Sequence, residues 1–270
     1  MSDLPGPAGL AEALRPHTGA LVSVEPTERG FSSDLTALVT GEKGAWFVKA
    51  MRNRPGGRRD SLVREGLINP HVQPISPAVQ WQAESLEWIA LGFEIVRGRH
   101  TDLTPGSRDL PTLIGMLTRI GGVPLPEVAV DWHETRWDRY IDRPDLFRGD
   151  ALLYTDIHPS NIIIGDDTVW AVDWSWPTRG AAWIDPALLV IQLVAAGHQP
   201  AAAEGWASGC PAWKDADPEA VDAFAVANAA MYETLADRNP DAAWLGAMAT
   251  ATREWARHRG GKPARGRRRA

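Results

Sequence analysis

Three polar side chains stand where apolar runs stop in the stretch ALLYTDIHPSNIIIGDDTVWAVDWSW, Ala151 to Trp176: Asp156, Asn161 and Asp173. Ala151 to Tyr154, Ile162 to Ile164 and Val169 to Val172 read as short strands, and Gly165-Asp166-Asp167-Thr168 suits a tight hairpin between the last two. A hairpin there folds Asn161 back beside Asp173, bringing an amide oxygen and a carboxylate to one end of a small sheet. Hard oxygen ligands so placed suit Mg2+, which keeps several waters and takes one or two protein ligands beside phosphate oxygens. Asp156 is left to accept a proton from a hydroxyl. Taken singly, an Asp or Asn in a loop is a turn former or a cap. The conjunction of three at this spacing is what points to chemistry.

The spacing Asp-x-x-x-x-Asn, followed by an Asp closing an apolar strand, resembles the catalytic and metal loops of the protein-kinase-like superfamily. The wording Tyr154-Thr155-Asp156-Ile157-His158-Pro159-Ser160-Asn161 is similar to the aminoglycoside phosphotransferase family, which places a His-Pro pair between Asp and Asn. Asp185 in Trp183-Ile184-Asp185-Pro186-Ala187 matches that family as well. The resemblance is specific over residues 151–190 and looser over the first hundred. It implies an α+β, bilobal protein-kinase-like fold: an N-lobe with a five-stranded antiparallel sheet and one main helix, and a larger, mostly helical C-lobe. The expected division is 1–97 for the nucleotide-binding lobe, 98–258 for the catalytic loop and acceptor site, and 259–270 for a basic, disordered tail. The cofactors implied are ATP or GTP and Mg2+, with Asp156 as base and Asn161 and Asp173 as metal ligands. His158 and Asp185 are expected to brace the catalytic loop. Two positions depart from the pattern: Tyr154 stands where the family has His, and Trp174-Ser175 follows the metal Asp where protein kinases have Phe-Gly.

The elements that must position these groups can be followed along the chain. A short peripheral helix is expected within residues 1–19. Ala20–Val24, Leu35–Thr40 and Ala45–Ala50 read as three strands, the last two joined by Gly41-Glu42-Lys43-Gly44. The small-residue turn Arg29 to Asp34 would cover nucleotide phosphates through backbone N–H groups and the hydroxyls of Ser32 and Ser33. Lys49, late in the third strand, would carry its ammonium to the phosphates. Asp60 is placed to cap a helix over Ser61–Ile68, on which Glu65 is the ionic partner of Lys49. Pro77–Ala83 and Leu86–Ile95 complete the sheet, and Arg97-Gly98-Arg99 is a break suited to a hinge. An adenine would meet main-chain groups near Glu94 and Val96, between apolar walls at Phe93 and Ile163. Leu110, Leu113, Met116, Leu117 and Ile120 have helical spacing. Residues 125–150 mix acids with arginines and read as the solvated face of a helix carrying Trp132, Trp137 and Tyr140 inward. Further helices are expected over Asp185–Ala196, Gln199–Gly209, Pro218–Asp237 and Asp241–His258.

Composition narrows the function. Of the 270 residues 44% are hydrophobic, enough for a sizeable core, and no apolar run approaches the ~20 residues of a membrane span. The start MSDLPGPAGLAEALRPH lacks the pattern of a secretory signal. A net charge of −6 gives no general attraction to nucleic acid. Cys210 stands alone, which excludes an intrachain disulfide. A cytoplasmic protein, monomer or homodimer, without nucleic-acid or membrane partners, is the expectation. Between Asp173 and Asp185 the chain is too short for a peptide-cradling activation segment, no Ala-Pro-Glu follows, and no arginine precedes Asp156. The expected acceptor is therefore a small-molecule hydroxyl, that of an aminoglycoside-like antibiotic or a related metabolite, with antibiotic resistance as one setting. A non-catalytic nucleotide-binding pseudokinase, and behind it a protein kinase, are the rival readings.

Overall fold

Alternating apolar residues along the first hundred positions give a sheet with two buried faces. The computed structural model describes residues 9–27 and 33–260. They form two compact units: Met1–Arg99 with Ile163–Trp176, and His100–Ile162 with Pro177–Ala270. In the first, α1 (Leu10–Thr18) precedes β1 (Leu21–Pro26), β2 (Leu35–Gly41) and β3 (Gly44–Arg52). Then follow α2 (Gly57–Ile68), β4 (Val79–Glu84) and β5 (Trp88–Phe93). The antiparallel sheet runs in the order β1-β2-β3-β5-β4. One face packs Trp46, Val48, Ala50 and Trp88 against Leu10 and Leu14 of α1. The other packs Met51, Ile89, Leu91 and Phe93 with Leu62 of α2. The first helix is thus a core element and not a peripheral one, since burying each leucine is worth about 1.5–3 kcal/mol. Asp60 is not the cap of α2: that helix starts at Gly57, four residues before Ser61, because the chain turns at Pro55-Gly56, and Asp60 lies in its first turn, at the positive end of the dipole.

Beyond β6 (Arg99–His100) the chain enters the second unit, whose α3 (Leu110–Gly121) buries the five apolar residues of its helical stripe. Residues 125–150 are not an α-helix. They make three short 3-10 turns, Glu127–Ala129, Asp138–Tyr140 and Pro144–Phe147. Pro124, Pro126 and Pro144 withhold the N–H groups a continuous helix needs, although Trp137 and Phe147 are buried. β7 (Ala151–Leu153) leads into the loop from Tyr154 to Asn161, and the chain rejoins the first unit at Ile163. There β8 (Ile162–Ile164) and β9 (Val169–Ala171) form the expected hairpin, closed by the Gly165 N–H on the Thr168 carbonyl at 2.9 Å. Residues 163–176 therefore group with the sheet, where a single cut after residue 97 would have placed them in the other unit. The Ala171 N–H holds them there by donating to the Ile75 carbonyl at 2.9 Å. Gly98 permits the close passage of this hairpin, since a Cβ at that position would lie 2.5 Å from the Ile164 carbonyl oxygen.

Back in the second unit, β10 (Thr178–Gly180) pairs antiparallel with β7, a strand with no periodicity to announce it. Helices α4 (Ile184–Ala195), α5 (Pro200–Ala207), α6 (Pro211–Lys214), α7 (Pro218–Arg238) and α8 (Ala243–His258) follow. Phe224 of α7 centres an aromatic cluster, its ring 4.5 Å from Trp137, 5.3 Å from Trp183 and 5.5 Å from Phe147. Arg259, just past α8, pairs with Glu204 and Asp222. The rest of the basic tail, from residue 261, lies outside the described residues. Among the described residues no helix is long and apolar enough to cross a membrane.

Candidate active site

In the first unit, β3 alternation turns Phe47, Lys49 and Met51 to the face that α2 covers, and helical spacing turns Glu65 towards them. The Lys49 ammonium donates to Glu65 Oε1 at 2.7 Å and Oε2 at 2.9 Å, and to Asp173 Oδ1 at 2.9 Å. All three of its hydrogens are thereby engaged. Burial pushes the Lys49 ammonium down, but the two carboxylates outweigh it and hold the group above its ordinary range. Burial raises Glu65, and with the Asp173 charge it outweighs the pull of Lys49. Burial also opposes Asp173, yet Lys49 and the Ser175 hydroxyl bring that carboxyl below its ordinary range. Ser175, buried and unmarked in the sequence reading, bonds to Asp173 Oδ1 and reaches Glu65 Oε2 at 3.3 Å. Asp173 has φ 61°, left-handed backbone that costs a residue with a Cβ about 1–2 kcal/mol. One ammonium and two carboxylates leave this cluster short of one positive charge.

The residues expected to surround a base are less uniform. Phe93 is 5% exposed, packed against Phe47 with ring centroids 6.4 Å apart and the Lys49 ammonium 5.8 Å from its ring. It is a core residue with little surface to offer a ligand. Half-buried Phe47, its cross-strand partner, offers more, and the alternation of β3 was the signal for it. Glu94, Val96 and Ile163 are half-buried. The Glu94 N–H donates to the Ala78 carbonyl at 2.9 Å, so a base edge there would be read through the Glu94 carbonyl. Ser32 lies outside the described residues. Ser33 is half-buried beside Asp34, which ties the end of the turn to β3 by accepting the Arg52 N–H at 2.7 Å and pairing with Arg58 at 2.9 Å.

In the second unit the loop from Tyr154 to Asn161 is held from below. Buried Asp185, in the first turn of α4, accepts the N–H groups of Tyr154 at 2.8 Å and Thr155 at 2.9 Å. Burial pushes its carboxyl up to about 6 against those two bonds. Thr155 needs such restraint, having φ 62° with a β-branched side chain. Asn161 Nδ2 donates to Asp156 Oδ2 at 2.8 Å, which turns the Asn161 Oδ1 away from Asp156. His158 caps the short turn Pro159–Asn161, its Nδ1 2.7 Å from Ser160 Oγ and accepting the Ser160 N–H at 3.3 Å. Burial, then the nearby His100, lowers His158 from its ordinary value. Glu134, read as solvated, is buried: Oε2 takes the Thr178 hydroxyl at 2.9 Å and Oε1 the Arg136 N–H at 2.7 Å.

Among the described residues no group of three or more His, Cys, Asp and Glu side chains is gathered as a metal cage. In the first unit the Asp173 carboxylate is a hard oxygen donor of the kind that suits Mg2+ completed by water and phosphate, and the chemistry of that donor fits the ion.

No protein-family model and no curated protein matches this sequence. Solved structures match over most of its length. A microcompartment-associated aminopropanol kinase is 13% identical, with 94% of this chain and 99% of that one covered and a TM-score of 0.61. The macrolide 2'-phosphotransferase of Brachybacterium faecium is 16% identical over 90% of this chain and 97% of its own, at 0.52. An amicoumacin kinase, solved with AMP-PNP, Ca2+ and amicoumacin, is 12% identical over 85% and 87%, at 0.57. With its five-stranded antiparallel sheet and its helical C-terminal part, this chain has the α+β, protein-kinase-like fold of the small-molecule phosphotransferases.

Proposed function

We propose that this protein is a small-molecule O-kinase that moves the terminal phosphoryl group of ATP to a hydroxyl. The observation that carries the reading is the buried Lys49 ammonium, shared between Glu65 at 2.7 Å and Asp173 at 2.9 Å. A buried lysine with two carboxylates is an expensive arrangement for stability alone; it suits a group that must meet phosphate. In this reading Lys49 exchanges its bond to Asp173 for one to a phosphate oxygen, while Glu65 keeps the ammonium aimed. Asn161 and Asp173 would hold Mg2+, which when bound neutralises charge on the phosphates. Asp156 orients the acceptor hydroxyl and takes its proton, and the Asn161 amide fixes the carboxylate that does so. His158 and Asp185 keep the loop in shape. The carbonyl of Glu94 and the segment to Val96 would read the base, with Phe47 and Ile163 against its faces. Such a reaction, drawing on ATP, belongs in the cytoplasm. The reading is tested with Asp156→Asn: Mg–ATP binding by calorimetry is unchanged, and turnover of any verified acceptor falls roughly 10²–10⁴-fold. Near wild-type turnover by that variant removes Asp156 from its role, and Mg–ATP binding with no transfer to a broad acceptor panel favours a pseudokinase.

A further inference from the structure

We propose that Arg136 and Tyr232 are the acceptor-recognising pair beside Asp156, and that they select a hydroxy acid, an acceptor whose reacting hydroxyl lies near a carboxylate. The inference rests on the phosphotransfer reading. Arg136 Nη2 donates to the hydroxyl of Thr155, the residue before Asp156, at 3.1 Å. The guanidinium lies 5.1 Å over the Trp137 ring, which limits its freedom. Its counter-charge, Glu134 at 3.6 Å, has a side chain only 2% exposed, against 35% for Arg136. Both Glu134 oxygens are occupied, by the Thr178 hydroxyl and the Arg136 N–H. The face turned outward is therefore the cation and not the carboxylate that balances it. Among the described residues the guanidinium makes no hydrogen bond but that to Thr155, so most of its planar fork of donors is unspent.

Tyr232 stands on α7. One turn before it on the same helix face, Asn228 accepts the Trp137 indole N–H at 3.0 Å, which sets this stretch of α7 against the Arg136-Trp137 segment. The phenol is raised by burial and feels the opposed charges of Arg136 and Asp156. Its hydroxyl has no hydrogen-bond partner among the described residues. A guanidinium fork next to the base, with a phenol on the helix packed against its segment, matches a carboxylate, which accepts the fork in bidentate fashion. A polycationic acceptor would meet like charge here.

The test measures ATP-dependent phosphorylation of gluconate and glycerate against choline and kanamycin, in wild type, Arg136→Ala, Arg136→Lys and Tyr232→Phe. Hydroxy acids are expected to be preferred. Arg136→Ala should raise their KM about 10–100-fold, the loss of a charge-assisted contact, with kcat within about threefold. Arg136→Lys, keeping charge without the fork, should fall between, and Tyr232→Phe should raise KM about 3–10-fold. Preference for choline or kanamycin overturns the proposal, as does an Arg136→Ala variant that loses kcat at unchanged KM, the mark of a mere brace for Thr155. If no acceptor is turned over, the phosphotransfer reading fails by itself. Calorimetric binding of gluconate to the Asp156→Asn protein then decides: binding that Arg136→Ala abolishes supports the pair, and no binding refutes it.

Discussion

Replacing Asp185 by Asn changes one atom in the support of the loop from Tyr154 to Asn161 and makes a pH-dependent prediction. Burial holds this carboxyl at about 6 in the folded protein, against 3.8 as its ordinary value. A carboxyl that binds its proton more tightly folded than unfolded contributes most stability below about pH 4. The contribution is lost as pH rises through about 6 and is flat above. The full span is about 2 pH units, or ~3 kcal/mol, of which about 1.5 kcal/mol falls between pH 5 and pH 7.5. The Asn variant does not titrate. Its stability relative to wild type should therefore improve by about 1.5 kcal/mol between those two pH values, because every other group cancels in the difference. Equilibrium urea unfolding of both proteins at both pH values, followed by tryptophan fluorescence, reads this directly. A difference that does not change with pH, or that moves the other way, would show that the two N–H groups of Tyr154 and Thr155 outweigh burial and that the carboxylate is ionised throughout. Asp185→Ala is the control for those two bonds: stranding two buried N–H groups should cost about 2–6 kcal/mol at neutral pH.

Lys49→Met should leave Glu65 and Asp173 facing each other without a cation, lowering stability by about 3–5 kcal/mol; adding Glu65→Gln should recover part of it, as urea midpoints will show, and neither protein should bind Mg–ATP by calorimetry. Ser175→Ala removes the hydroxyl that sits between the Asp173 and Glu65 carboxylates and should raise the KM for Mg–ATP about 3–10-fold, through roughly 1 kcal/mol of lost hydrogen bonding; an unchanged KM would reduce Ser175 to packing. Thr155→Gly relieves left-handed backbone worth about 1–2 kcal/mol but loses the hydrogen bond from Arg136, so thermal unfolding should shift little, and a large change in melting temperature in either direction would refute that balance.

Much of this was readable from residue types alone. The period-two alternation of β3 and the helical register of α2 turn Lys49 and Glu65 to one side, and the Asp-Gly-rich turn at 165–168 closes the hairpin that carries Asp173 into the first unit. Failures came where a local rule met a tertiary one. Asp60 looked like a cap because acids favour helix starts, but the glycines before it admit an earlier turn. The mixed charges at 125–150 suggested a wet helix, whereas prolines break it and Glu134 is drawn inside by the Thr178 hydroxyl, distant in sequence, and by a local backbone bend at Arg136. Ser175 and β10 carry no periodic signal, since a single hydroxyl and a three-residue strand acquire meaning only from what they touch. Burial of Phe93 with Leu62 of α2 likewise depends on a contact that strand alternation alone does not announce.

The polypeptide passes between its two units three times, after Arg99, after Ile162 and after Trp176. Neither half can be excised as one uninterrupted piece. A truncated gene product ending at residue 99 would keep the lysine and glutamate of the buried triad but forfeit the aspartate, and its sheet would lack the hairpin that anchors to Ile75. Recombination between proteins of this fold would therefore have to respect the short segment at 163–176, and a protease nicking near residue 177 would sever Asp173 from the helices that follow without removing it from the sheet.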